Sequence, residues 1–428
     1  MKSAQTMAIG VVALALFATG CTSSDDDQDA AAPGGTITVW THTNKSFNKA
    51  YQELGAAYMA ENPDATIEFE TFDYDAYIQT LQTSLPAGNE ADILQMFGSW
   101  TCSYADNLST VPEDVSTVKE AEEAFFPGPL GGYQCDDQLY GMPQESNVEY
   151  GATLVNTAMA EDADVALDGW ASFDEFKADA KKMTVVEDGA ITRAGYHFTT
   201  NDGISYSLLS LILQNGGSYL AEDGTFTFQT PEAQASMELM KSYVDEEIVD
   251  PTLFTDTANW VGDCYFTELC AMGLVGPWVV PEYATDFPEV TANTEYVPLP
   301  TLENSSFAAD SGWGLAVSSN SPEQELAWDF VSYVAQNDQN ALDWNLATGT
   351  LPALKANTQG DARDQLLADA KYLAPWLDIL GDAEYVGSLP DRDRLFYRII
   401  VPNVLDYLNG QTSVEDALAA IEEEANSL

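Results

Sequence analysis

Five short segments near the start of the folded region constrain the fold more than anything else in the chain. TITVW (36–40) alternates and is rich in β-formers, so it reads as a strand. The next segment repeats Phe47, Tyr51, Leu54 and Tyr58 at helical spacing, with Ser46 as a possible N-cap and Pro63 beyond the end. ATIEFETF (65–72) alternates again. A second helical stretch carries Tyr77, Leu81 and Leu85, and ADILQMF (91–97) reads as a short buried strand. Strand, helix, strand, helix, strand at this spacing requires right-handed crossovers and a parallel sheet covered by helices.

The pattern continues. NVEYGATLVN (147–156) reads as a strand, and Ser172-x-x-Glu175 as a capping box opening a helix through Met183. GISYSLLSLILQNGG is a buried helix with a glycine stop, and Thr230-Pro231 opens another. Residues 268–280 read as a strand running into a turn, and 312–319 as a further strand. Ser321 with Glu323 and Gln324, and later Thr412-x-x-Glu415, read as helix starts.

The chain has 428 residues, enough for two domains with their own cores. It carries 69 Asp plus Glu against 15 Lys plus Arg, a formal charge of −54. That balance excludes nucleic acid as a partner, because phosphate binding needs clustered basic residues. It also disfavours adhesion to an anionic membrane through basic side chains.

At the N-terminus, Lys2 precedes an apolar run from Met7 to Ala18, the length of a secretory h-region and too short to span a bilayer. Ala18-Thr19-Gly20-Cys21 resembles a bacterial lipobox, with alanine in place of the usual leucine. The resemblance implies a signal peptide over 1–20 and acylation of Cys21. An acidic tether over 21–35 would follow, leaving the lipid as the only membrane attachment, on the outer face of the cell membrane. Four cysteines remain, and proximity favours the pairs Cys264–Cys270 and Cys102–Cys135. A zinc site lacks C-x-x-C spacing and has only His42 and His197 to recruit, so no metal and no cofactor is expected.

Enzymatic motifs are missing. There is no G-x-S-x-G elbow, H-E-x-x-H, P-loop or G-x-G-x-x-G, and two histidines leave little room for nucleophilic triads. A glycosidase needs only two carboxylates, but no pair stands out. The aromatics at strand ends are more informative: Trp40, Phe72, Tyr74, Phe97, Trp100, Trp278 and Trp313. Ligands of open α/β sheets bind outside the carboxyl ends of strands, and aromatic faces pair with the C–H faces of pyranose rings. Thr41, Asn44, Asp73, Gln144, Glu145 and Asp310 lie nearby in sequence and can hydrogen-bond hydroxyls.

With these residues in place, nearly the whole mature chain resembles the sugar- and oligosaccharide-binding group of ABC-transporter extracellular solute-binding proteins. The resemblance rests on ITVW, GNEADILQMF, LYGMPQES, ILQNGGSYL, TPEAQASMELM, LVGPW and GWGLAV followed by SPEQELAWDFVSYV, in that order. It implies a two-lobed α/β periplasmic-binding-protein fold (type II-like), each lobe a mainly parallel sheet flanked by helices. The expected lobes are 36–142 plus 309–346 and 146–303 plus 352–428, with crossings near 142–146, 303–309 and 346–352. It also implies a ligand cleft lined by Trp40 to Asn44, Gly98, Ser99, Trp100, Gln144, Glu145, Trp278, Gly312 and Trp313. The implied function is that of a lipid-anchored, monomeric, non-enzymatic receptor handing a sugar to a membrane permease. A polyamine, peptide or metal complex is the alternative ligand, and a secreted glycosidase the alternative class.

Overall fold

The computed structural model describes residues 33–198, 202–254, 261–387, 389 and 391–428. The expected signal segment, Cys21 and most of the tether therefore lie outside the described residues.

The first strand, Gly35–His42, turns Ile37, Val39 and Thr41 into the core and Thr38 and Trp40 outward, as alternation requires. It pairs in parallel with Ala65–Phe72 on one side and Ile93–Phe97 on the other. Helices Lys45–Glu61 and Tyr74–Ser84 make the crossovers. Trp313–Val317 then returns from far along the chain and lies antiparallel beside Ile93–Phe97, placing Trp313 opposite Phe97. Met142–Pro143 closes this five-stranded sheet.

A second sheet orders His197–Phe198, Met272–Leu274, Ala152–Asn156 and Thr294–Pro298. Here only the outermost pair, His197–Phe198 with Met272–Leu274, is parallel. By direction each sheet is nevertheless mainly parallel, with one strand in each running against the rest. The single opposed strand in each sheet, Trp313–Val317 or Ala152–Asn156, follows directly on a pass between lobes.

Each sheet has its own hydrophobic core. One gathers residues between Ile37 and Met142 together with Trp313 to Leu354; the other runs from Val148 to Ala309 and from Leu366 to Ala425. Between them the chain runs side by side with itself. Glu145–Ser146 pairs antiparallel with Leu351–Pro352, Asn147 bridges Asp310, and Phe307–Ala309 pairs with Ala383–Tyr385. Gly312 follows at φ 77°, where an added Cβ would sit 2.7 Å from Glu145 Cγ. Only glycine adopts that conformation without strain and leaves room for the carboxylate.

Several local expectations shift. Asn44, not Ser46, caps the first helix, its Oδ1 accepting from Phe47 N–H at 2.9 Å. The strand expected over 147–156 is confined to Ala152–Asn156, since the preceding residues are spent on the crossing. Ser172 caps its helix, but Glu175 accepts from Ala171 rather than closing the box. Ser321 Oγ accepts from Glu323 N–H at 3.1 Å, but the helix begins later, at Gln324, with Glu323 at the N-cap position. Ser413, not Thr412, caps the last helix, Val414–Ala425. Leu395–Ile400 winds as a π-helix just before Pro402, whose ring cannot fit an ordinary α-turn and whose nitrogen has no proton to donate. Cys102 is bonded to Cys135 and Cys264 to Cys270.

Candidate functional site

A cavity of about 240 Å³ lies between the two cores. The first lobe supplies His42, Thr43, Asn44, Phe47, Tyr74, Phe97 and Trp313. The second supplies Glu149, Asp202, Trp278, Glu282, Tyr283, Arg392 and Tyr397, and the first crossing supplies Glu145 and Asn147.

Trp313 is the centre of the first-lobe wall because its strand begins there, opposite the last residue of Ile93–Phe97. Its ring stacks on His42 at 4.3 Å between centroids, and Phe97, Trp100 and Tyr74 meet it edge-on at 5.1, 5.4 and 6.4 Å. Such packing leaves the indole only 8% exposed and fixes which face is offered. Trp278, half-buried, lines the same cavity from the second lobe, its indole N–H donating to Glu149 Oε1 at 2.9 Å.

His42 is held by Gln95, whose Oε1 accepts from both the His42 backbone N–H (3.1 Å) and Nδ1 (2.8 Å). Since the backbone group can only donate, Oε1 is the acceptor and Nδ1 carries the proton, leaving Nε2 as an acceptor. Burial lowers the His42 pKa to about 4, so the ring is neutral at physiological pH.

Two buried carboxyls sit at the cavity floor. Glu145 Oε1 accepts from Trp313 N–H at 3.0 Å, while its Oε2 has no hydrogen-bond partner among the described residues. Glu149 accepts from Gly276 N–H and the Trp278 indole. Burial pushes both acids up to about 8, for Glu149 with help from the nearby charge of Asp202.

Arg392 occupies the base of the second-lobe wall. Nε donates to Asp310, Nη1 to Asp393 and Tyr397, and Nη2 to Asp202 and Tyr206, at 2.7–3.1 Å. The guanidinium also lies over the Phe396 ring at 4.1 Å. The π-helix brings Phe396 and Tyr397 around it. On the rim, Lys45 pairs with Asp286, and Glu282 accepts from Ser46 N–H at 3.3 Å; both contacts join the two lobes.

Of the residues expected from sequence, His42, Thr43, Asn44, Tyr74, Phe97, Glu145, Trp278 and Trp313 line the cavity. The others do not, for identifiable reasons. Trp40 lies on the same face of its strand as His42 but two residues short of the cavity end, bonded to Glu70 and packed on Phe72. Thr41 is buried against Asn48 and Thr71, and Asp73 is exposed on the helix entry. Gly98 and Ser99 lie behind the wall, where a Cβ on Gly98 would collide with Ser311. Trp100 supports Trp313 from behind, and Gln144 accepts from Tyr51 at 2.6 Å. Asp310 lies beneath Arg392, and Gly312 sets the turn before Trp313.

Sequence reasoning missed Phe47, Asn147, Glu149, Asp202, Glu282, Tyr283, Arg392 and Tyr397. The available signal for Arg392 was its rarity, a cation in a chain with so few, placed just before the apolar run LFYRII.

The profile of the family described as bacterial extracellular solute-binding protein matches residues 44–341. The diacetylchitobiose binding protein of Streptomyces coelicolor is 24% identical over 403 residues, covering 86% of this chain and 87% of that protein. An ABC transporter solute-binding protein of Thermotoga lettingae, solved with α-D-tagatose, superposes with a TM-score of 0.77 at 20% identity, over 92% of this chain and 99% of the other. The GacH receptor of Streptomyces glaucescens, solved unliganded and with acarbose, gives 0.75 at 19% identity, over 92% and 97%.

Proposed function

Because this chain belongs to the bacterial extracellular solute-binding proteins, we propose that it is the receptor of an ABC importer that captures a sugar or oligosaccharide in the interlobe cleft. The observation that carries this reading is the pair of tryptophans, Trp313 and Trp278, contributed by different lobes to one cavity of a size for a small ligand. Flat rings on both walls suit the C–H faces of pyranoses, and His42 Nε2 and Glu145 Oε2 suit hydroxyl protons. Relatives named for arabino-oligosaccharide and diacetylchitobiose binding support the same ligand class.

The lobes are taken as 36–142 plus 309–346 and 146–303 plus 352–428, supported by the two separate cores. Ligand touching both walls stabilises the closed arrangement by contacts that an open one lacks. The closed form is then the one a membrane permease reads. Cys21 acylation tethers a monomeric receptor to the outer face of the membrane. Among the described residues no helix is long and apolar enough to cross a bilayer. No hydrolytic step is assigned to the site.

The test is a thermal-shift screen against a carbohydrate panel. A receptor at 100 times its dissociation constant gains about 2.7 kcal/mol and melts measurably higher. Absence of any shift across mono-, di- and trisaccharides sinks the sugar reading. Conversion of an oligosaccharide to products would instead favour a glycosidase.

A further inference from the structure

We propose that the cleft selects a saccharide bearing a protonated amine, received by Glu145 and Glu149 beside the faces of Trp278 and Trp313. This deepens the sugar-receptor reading and rests on it.

The first argument is the state of the cavity's cation. Arg392 has five N–H donors, and all five are engaged by Asp310, Asp393, Tyr397, Asp202 and Tyr206. Its charge already faces three carboxylates. It therefore has nothing left to offer a phosphate, a uronate or a sialate, and the surrounding acids repel them.

The second is the state of the acids. Glu145 and Glu149 are each 4% exposed, yet neither has a Lys, Arg or protonated His in ion-pair distance among the described residues. They are held by backbone N–H groups and an indole. Burial without a counter-charge keeps each carboxyl largely protonated near neutral pH, and an entering ligand cation supplies the charge that lets it ionise with release of that proton.

The third is the donor–acceptor balance. The Trp278 indole and the Thr43 hydroxyl are committed, to Glu149 and to Phe72 O. Glu145 Oε2 and Asn147 Oδ1 are buried acceptors without partners among the described residues. A neutral hydroxyl is both donor and acceptor, whereas an ammonium offers three donors and accepts nothing. An ammonium can donate to Glu145 Oε2 and to Asn147 Oδ1, while Asn44, Asn147 and Tyr74 present N–H and O–H groups for the sugar hydroxyls, and the indole faces add cation–π attraction.

The experiment compares matched probes by calorimetry at pH 6.5: glucosamine with glucose, galactosamine with galactose, and chitobiose with cellobiose and diacetylchitobiose. The expected result is that the amine member of a pair binds about tenfold or more tightly than its hydroxyl or acetyl counterpart. The Glu145→Gln plus Glu149→Gln variant, which retains the acceptor oxygens, should bring that ratio to within about threefold. Far-ultraviolet circular dichroism of the variant checks its fold, and the wild-type ratio decides the matter by itself. Equal or tighter binding of the neutral members overturns the inference and leaves the sugar receptor standing. Failure of every saccharide to bind overturns both.

Discussion

Raising the pH from 6.5 to 8 should cost the ligand-free protein stability, and the amount can be worked from the cavity floor. Burial pushes Glu145 and Glu149 from 4.5 up to about 8. A carboxyl whose folded-state pKa lies above its unfolded value stabilises fully below the unfolded value, and the contribution is lost as pH climbs through the folded one. Between pH 6.5 and 8 each acid therefore gives up about 1.6 kcal/mol, or ~3 kcal/mol for the pair. The histidines oppose this. Burial lowers His42 and His197 from 6.5 to about 4, so their stabilisation is full above 6.5 and lost as pH falls toward 4. Over the same window they return only about 0.4 kcal/mol each, leaving a net loss of ~2.5 kcal/mol. Urea unfolding followed by tryptophan fluorescence at several pH values, in about 0.5 M salt to screen the acidic surface, measures it. In the Glu145→Gln plus Glu149→Gln variant the slope should vanish or turn slightly upward. Wild-type stability that stays flat or rises across the window, or an unchanged slope in the variant, refutes the account of the two acids.

Replacing Trp278 by alanine should weaken binding of whichever sugar the screen identifies by about tenfold or more, while a half-buried side chain costs the fold only ~1–2 kcal/mol; isothermal calorimetry and a melt separate the two. Gly312→Ala places a Cβ 2.7 Å from Glu145 Cγ at φ 77°, so it should lose about 1–3 kcal/mol of stability in chemical denaturation. Reducing the Cys102–Cys135 bond, which spans a separation of 33 residues, should cost ~3–4 kcal/mol and lower the midpoint of a melt in dithiothreitol. Lys45→Glu replaces an interlobe ion pair to Asp286 by a repulsion, so the ligand-free protein should shift toward open forms; small-angle scattering should show a larger radius of gyration than wild type, with weaker ligand affinity.

The parts of this molecule that periodicity controls were readable without coordinates. Alternation in TITVW and ATIEFETF, and the spacing of Phe47, Tyr51, Leu54 and Tyr58, follow from burying one face of an element, and they match the observed strands and helix. Direction of pairing is different. Nothing in WGLAV itself records that it returns antiparallel beside Ile93–Phe97, because that depends on a crossing more than two hundred residues after its neighbour. Helix caps slipped by one or two residues, as with Asn44 and Ser413, because adjacent polar side chains compete for the same N–H groups and the backbone entry angle decides.

The cleft was legible in its aromatic half and opaque in its ionic half, and the cause is statistical as much as structural. Trp278 and Trp313 stand out because tryptophans are scarce and follow strand-end signals. Their neighbours Trp40 and Trp100 carried the same signal, yet one lies two residues short of the strand's cavity end, bonded to Glu70, and the other props Trp313 from behind. Glu145, Glu149 and Asp202 are three acids among 69, and no spacing separates a buried carboxyl from a solvated one in so acidic a chain. What distinguishes them is burial with or without a cation, a property of the assembled lobes alone. Arg392 shows the consequence: three aspartates from three distant stretches, Asp202, Asp310 and Asp393, converge on it, so the single guanidinium is neutralised before any ligand arrives. Glu145 and Glu149 are left without a share of that charge, which makes the electrostatics of the cleft a matter of what the ligand brings.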